Sequence, residues 1–175
     1  MPWSGKSEAV FLARKKNIPV FRMGDFVWNE VEKRKLPLNA DSVGMIAQNM
    51  RKEHGDTIWA KKTVDAINQL KQVPFVVIDG IRSVEEVKYF RSHLSDSFYL
   101  VGIVAPTKLR HKRAKNRRRV DDSSDEEVLR KRDEREKKWG IDKVLDSADI
   151  TVHNDSSLKA FHDEISKLFS SNWRL

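Results

Sequence analysis

The stretch Pro74-Phe75-Val76-Val77-Ile78-Asp79-Gly80-Ile81-Arg82 decides the fold. Residues 75–78 are apolar without a break. A strand with one wet face alternates apolar and polar residues. An unbroken run suits a strand covered on both faces, as in a parallel sheet flanked by helices. Asp79-Gly80 ends the run. Three other stretches read as strands: Ile18–Phe21, Phe98–Val104, also apolar enough to be buried, and the brief Ile150–Val152.

Helical patterns fill the intervals. Ser7–Lys16 carries Ala9, Val10, Leu12 and Ala13 as an apolar stripe. Asp25 is placed to cap a helix running to about Arg34, with Pro37 closing it. Ser42–His54 reads as a helix stopped by Gly55, and Asp56 as the cap of the next, through Leu70. Ser83 and Glu86 form a capping box for a helix to about Leu94. Residues 107–117 are a basic helix candidate, 118–124 a polar break, Asp125–Trp139 a helix of mostly charged residues, and 141–147 a short helix. Ser157–Phe169 closes the chain, with Leu158, Phe161, Ile165 and Leu168 on one face. Strands alternating with helices predict an α/β fold of three layers around a parallel sheet.

The chain has 175 residues, enough to bury one core without staples. Cysteine is absent, which excludes disulfides, thiolate metal sites and cysteine nucleophiles. No apolar run approaches the ~20 residues that a spanning helix needs, and no leader pattern opens the chain, so the expectation is a cytoplasmic protein with no membrane partner. The net charge is +8, from 34 basic and 26 acidic residues. Residues 108–119 hold eight of those bases and no acid, so the other 26 bases balance the 26 acids and this one segment carries the excess.

Met1-Pro2-Trp3-Ser4-Gly5-Lys6-Ser7 stands directly before the first helix and matches the last seven positions of the eight-residue P-loop pattern. In that pattern the amides of residues 4–7 and the helix N-terminus wrap a phosphate, Lys6 bridges the β- and γ-phosphates, and Ser7 takes Mg²⁺. The plain alternative is an accidental Gly-Lys-Ser opening a helix. The pattern's first glycine, and the strand that should feed it, would lie upstream of Met1. The expectation is a start placed too late rather than a truncated protein, because a missing central strand would leave a gap with unpaired backbone groups.

Asp79 and Arg82 follow a strand, at the edge where open α/β sheets bind ligands. Asp79 is a candidate for holding Mg²⁺ or orienting an acceptor, and Arg82 for clamping an acceptor phosphate. The alternative is a solvated strand end with a surface arginine. The same logic brings Arg22 and Asp25 to that edge. Arg113, Arg117 and Arg119 precede Asp121-Asp122, and Arg130, Arg132 and Arg135 follow. Arginines that arrive with closure could neutralise a moving phosphoryl group. Alternatives are a solvated helix pair or an RNA-binding arm at 108–119. No Phe, Trp or Tyr lies between 101 and 138, so that arm would have no base-stacking platform. The five histidines show no metal-ligand spacing. Trp28, Trp59 and Trp139 read as packing residues.

These motifs resemble the P-loop nucleoside-phosphate kinases of the adenylate kinase and dephospho-coenzyme A kinase group, and most of all an archaeal ATP-binding family of that kind. The resemblance rests on residues 1–8, Arg22-Met23-Gly24-Asp25, residues 77–82, Arg132–Glu136 with Trp139-Gly140, and residues 149–155. Trp3 departs from it, standing where relatives usually have glycine. The resemblance implies a single kinase-like domain over 1–175, with acceptor-binding helices at 26–72 and an arginine-rich lid at 107–139. It implies transfer of the γ-phosphoryl of ATP, with Mg²⁺, to a nucleotide-like acceptor. By similarity Ser4, Gly5, Lys6 and Ser7 hold phosphate and metal, with Asp79 beside them, and Arg82 meets the acceptor phosphate. Arg113 and Asn154 lie by the base, and Arg117, Arg119 and Arg132 surround the transferring group. Two rival readings remain: an RNA- or ribosome-associated module built on 108–119, and an ATP-switched regulator.

Overall fold

A computed structural model describes residues 1–70, 73–94, 98–116 and 126–170. Among them the order is α1 (Lys6–Lys15), β1 (Val20–Arg22), α2 (Met23–Lys33), α3 (Ala40–His54), α4 (Ile58–Ile67), β2 (Val77–Asp79), α5 (Val84–Leu94), β3 (Val101–Val104), α6 (Thr107–Asn116), α7 (Glu126–Lys138), α8 (Ile141–Asp146), β4 (Ile150–His153) and α9 (Leu158–Ser170). The expected alternation of strands and helices is present, and every strand pairing is parallel.

The pairing divides in two. β1 lies beside β2 with Val20 opposite Val77 and Arg22 opposite Asp79, and β3 lies beside β4 with Val101 opposite Ile150 and Val104 opposite His153. No described strand joins the two pairs. A cleft of about 2000 Å³ opens there, with β2 residues 77–79 and β3 residues 101–103 among its walls. The continuous apolar run at 75–78 predicts a fully covered strand. Instead all three residues of β2 are only half-buried, because the cleft takes the place of a neighbour.

Apolar clusters hold the helices. The largest joins Met23, Val27 and Val31 of α2, Ile46, Ala47 and Met50 of α3, Trp59, Ala60 and Val64 of α4, and Phe90 of α5. Trp59 is 1% exposed, and its indole N–H donates to the Ala47 carbonyl at 3.3 Å, so its one polar atom is satisfied inside the core. A second cluster packs Ala9 of α1 with Ile103, Val152, Phe161 and Ile165, fixing α1 and α9 beside β3 and β4. The third joins Val87, Leu100, Ile141 and Val144.

Several local expectations need correction. β1 ends at Arg22 and α2 begins at Met23, so Asp25 lies in the first helical turn and caps nothing. Thr57, not Asp56, precedes α4, which ends at Ile67. Leu158 is 59% exposed, because it opens α9 beyond the packed part of that helix, whereas Phe161 and Ile165 are buried. Trp28 is exposed on α2 with the Arg22 guanidinium 5.6 Å from its ring, and it is not a core residue. No helix among the described residues is long and apolar enough to cross a membrane.

Candidate phosphate site at the strand ends

The loop before α1 is held from several sides. Gly5 adopts φ 119, a left-handed conformation that favours glycine, and a Cβ there would meet Asn154 Nδ2 at 2.2 Å. The reason is a tether: Asn154, directly after β4, donates from Nδ2 to the Ser4 carbonyl at 2.9 Å. Helix α1 has no side-chain cap. The loop thus leads into the positive end of the helix dipole, which favours an anion. Ser4 Oγ is buried with no hydrogen-bond partner among the described residues. An orphaned hydroxyl beside an uncapped helix start fits an oxygen-rich ligand such as a polyphosphate.

Lys6 turns back along this loop, and its Nζ donates to the Met1 carbonyl at 2.6 Å. Burial is the main reason its ammonium is pushed down to about 8. The cations of Arg82, Arg132 and Arg110 push the same way, while Asp79 opposes them. Burial, then the Lys6 charge, also pushes the Met1 α-amine down to about 4. Arg82, Arg132 and Arg110 thus stand close enough to Lys6 to act on its charge, and Arg82 and Arg132 share the cleft wall with it.

The strand-end residues sit as neighbours. Arg22 Nε lies 3.8 Å from Asp79 and its Nη1 3.4 Å from Asp25, so β1, β2 and the first turn of α2 present these three side chains together. Arg82 ion-pairs with Glu136 of α7. Burial, then the nearby Arg132 cation, pushes its guanidinium down to about 10. The capping box predicted at Ser83 is present: Glu86 N donates to Ser83 Oγ at 3.2 Å, and Ser83 N to Glu86 Oε2 at 3.3 Å. Glu86 is fully buried and does more than cap. It also accepts from the Arg82 amide at 2.8 Å and from Arg51 Nη2 at 3.0 Å. Arg113 Nη2 donates to the Asn154 carbonyl at 3.0 Å and to Oδ1 at 2.9 Å. Lys6, Ser7, Arg22, Asp79, Arg82, Arg113, Arg132 and Asn154 all line the cleft, with Ser4 in the loop behind it. Among the described residues no cluster of three or more His, Cys, Asp or Glu could hold a metal. Arg117 and Arg119, with Asp121 and Asp122, lie outside the described residues.

Several participants escaped the sequence reading. Arg110 is buried and makes a bidentate pair with Asp133, both contacts at 2.8 Å, and Nη1 also reaches the Pro2 carbonyl at 3.2 Å. Arg51, Arg82 and Arg135 each stand 5.5–5.6 Å from the Trp139 ring, which is therefore a charged platform as well as a packing group. Leu129, Asp133 and Glu136 recur at helical spacing on α7, and all three are buried. That periodicity of two acids with a leucine is the available signal for an inward face on so polar a helix.

Comparison with known proteins agrees with this geometry. Residues 1–130 match the family described as an AAA domain. A UPF0200 protein of Methanosarcina barkeri is 38% identical over 174 residues, which cover 99% of this chain and 93% of that protein. One from Methanoculleus marisnigri is 42% identical over 168 residues, 96% of this chain and 91% of its own. A UPF0200/UPF0201 protein of Archaeoglobus fulgidus is 39% identical over 168 residues, and the chain spans about half of its length, 52%.

Proposed function

The chain belongs to the AAA-domain family, a group of P-loop nucleotide-binding domains, and to its UPF0200 branch, and from that premise we propose that it is a phosphotransferase. It would move the γ-phosphoryl of ATP to a nucleotide-like acceptor. The observation that carries this reading is the loop before α1, where a helix start without a side-chain cap, the orphaned Ser4 hydroxyl and the buried Lys6 meet at the cleft that Asp79, Arg82 and Arg132 also line. Charge of that sign and density suits a polyphosphate in a chemistry that depends on positioning and electrostatics.

In this account residues 1–175 form a single domain of three layers. Ser4, Gly5, Lys6 and Ser7 hold the polyphosphate. Ser7 and Asp79 would hold Mg²⁺, which when bound neutralises charge between the β- and γ-phosphates. Arg113 and Asn154 flank the base of ATP. The helices within 26–72 carry the acceptor, with Arg22, Asp25 and Arg82 at its phosphate. Residues 107–139 act as the lid that brings Arg117, Arg119 and Arg132 to the transferring group and excludes water.

The RNA-binding alternative loses ground on α6 itself. Of the five bases in its described part, Arg110 and Arg113 turn inward to Asp133 and Asn154, leaving Lys108, Lys112 and Lys115 exposed. The test is phosphoryl transfer from ATP–Mg²⁺ to a panel of nucleoside monophosphates and dephospho-coenzyme A. At least one acceptor should be phosphorylated, and Lys6→Ala should abolish that transfer. Turnover equal in Lys6→Ala would overturn the assignment. Retention on RNA that is independent of ATP and falls steeply with salt would favour the rival.

A further inference from the structure

Trp3 combines two features that do not ordinarily meet. Its backbone sits at φ 55, in the left-handed region that favours glycine, and it carries the largest side chain available. The side chain is not splayed into solvent. It is 7% exposed and forms a small apolar cluster with Ala114 of α6 and Leu129 of α7. The His111 ring stands edge-on to it at 6.3 Å. The Arg132 guanidinium lies 4.9 Å from the centre of its ring, close enough for a cation–π contact.

The neighbouring residue is tied to the same two helices. Arg110 of α6 holds both the Pro2 carbonyl and the Asp133 carboxylate of α7. The phosphate loop and the α6–α7 pair are therefore joined at residues 2 and 3, one by hydrogen bonds and the other by an aromatic face. Arg132, unlike Arg110, lines the cleft. It lies close enough to both Lys6 and Arg82 to repel each of them.

We propose that Trp3 is a positioning residue whose indole face seats Arg132 over the phosphate loop, so that the arginine meets the terminal phosphate of a bound nucleotide. This rests on the nucleotide-binding reading above. An aliphatic side chain at position 3 would fill the Ala114–Leu129 pocket but offer no π face. An aromatic one would do both. The loss should fall on the last phosphate alone, since Ser4, Gly5 and Lys6 hold the rest.

Affinities for ATP and ADP, each with Mg²⁺, in the full chain and its Trp3→Phe, Trp3→Leu and Arg132→Ala variants separate this role from simple packing. The preference for ATP over ADP should survive in Trp3→Phe and fall about tenfold in Trp3→Leu, the size expected for one charge-assisted contact, while ADP affinity stays within about twofold. Arg132→Ala should lose the same preference, and adding Trp3→Leu to it should cost nothing more. An unchanged preference in Trp3→Leu, an equal loss in Trp3→Phe, or losses that add in the double variant would overturn the proposal. Should Trp3→Leu fail to fold, an undiminished preference in Arg132→Ala overturns it alone. A wild-type chain that binds neither nucleotide instead removes the reading beneath it, and the proposal with it.

Discussion

Helices α2–α5 and helices α6–α7 both pack against the rest of the chain, but the first group rests mostly on an apolar cluster, beside the buried Glu86–Arg51 pair, and the second mostly on charged pairs. The first group buries Val27, Val31, Ile46, Met50, Trp59, Val64 and Phe90 in one apolar cluster. Burial of that kind is non-directional and tolerates salt and pH. In the second group the described buried side chains are Arg110, Ala114, Leu129, Asp133 and Glu136, three of them charged. Bidentate guanidinium–carboxylate pairs are directional, and a docked position held by them is lost when the pair is broken. The difference suits the proposed division of labour: a stable acceptor side, and a lid whose docking can be exchanged for contacts to phosphate.

Trp59→Ala should be the harshest change, removing about 3–5 kcal/mol of global stability in a denaturant titration. Its hydrogen-exchange effect should spread across α2–α5. Asp133→Ala strands the buried Arg110 guanidinium and should cost about 3 kcal/mol or slightly more. Here the loss should be local, with exchange rising in α6 and α7 while α2–α5 keep their protection. Equal spreading by both variants would erase the proposed contrast.

Acid gives the mildest test. Burial raises the Asp133 carboxyl, but hydrogen bonds and charge from Arg110 and then His111 outweigh it and hold the group below its usual range. A carboxyl held low contributes stability that is complete above the ordinary value of about 4. That contribution is lost as pH falls through the lower folded-state value. Exchange protection in α6 and α7 should therefore weaken below about pH 4, ahead of α2–α5.

The contrast also explains what could be read from the chain. Local rules worked where the partners are close in sequence. Ser83 and Glu86 are three residues apart and form their box. Gly55 ends α3 at φ 90, a positive value that favours glycine. The apolar stripe of α1 supplied Ala9 and Val10 to the interior. Asp25 misled because an acidic residue near a helix start is equally at home in the first turn, where it meets the dipole without capping, and Asp56 because the cap position falls one residue later, on Thr57. The site was legible in its loop and strand ends, whose spacing reports them. Arg110–Asp133, Arg82–Glu136 and Trp3 beneath Arg132 were not, because their partners stand 23, 54 and more than a hundred residues apart. Only the fold decides which of many arginines meets which acid.

Polyphosphate binding by the loop ending in Gly5-Lys6-Ser7 is proposed to rest on a buried lysine whose ammonium is easier to deprotonate than usual. Burial and neighbouring cations push Lys6 down to about 8, so an anion that restores its ammonium must draw in a proton. Calorimetry of ATP–Mg²⁺ binding near pH 8.5, in buffers of different ionisation enthalpy, measures that uptake directly. The wild-type chain should take up a fraction of a proton on binding, and Lys6→Ala should lose both the uptake and most of the affinity. Binding of equal strength in Lys6→Ala, with the same proton balance, would contradict the account.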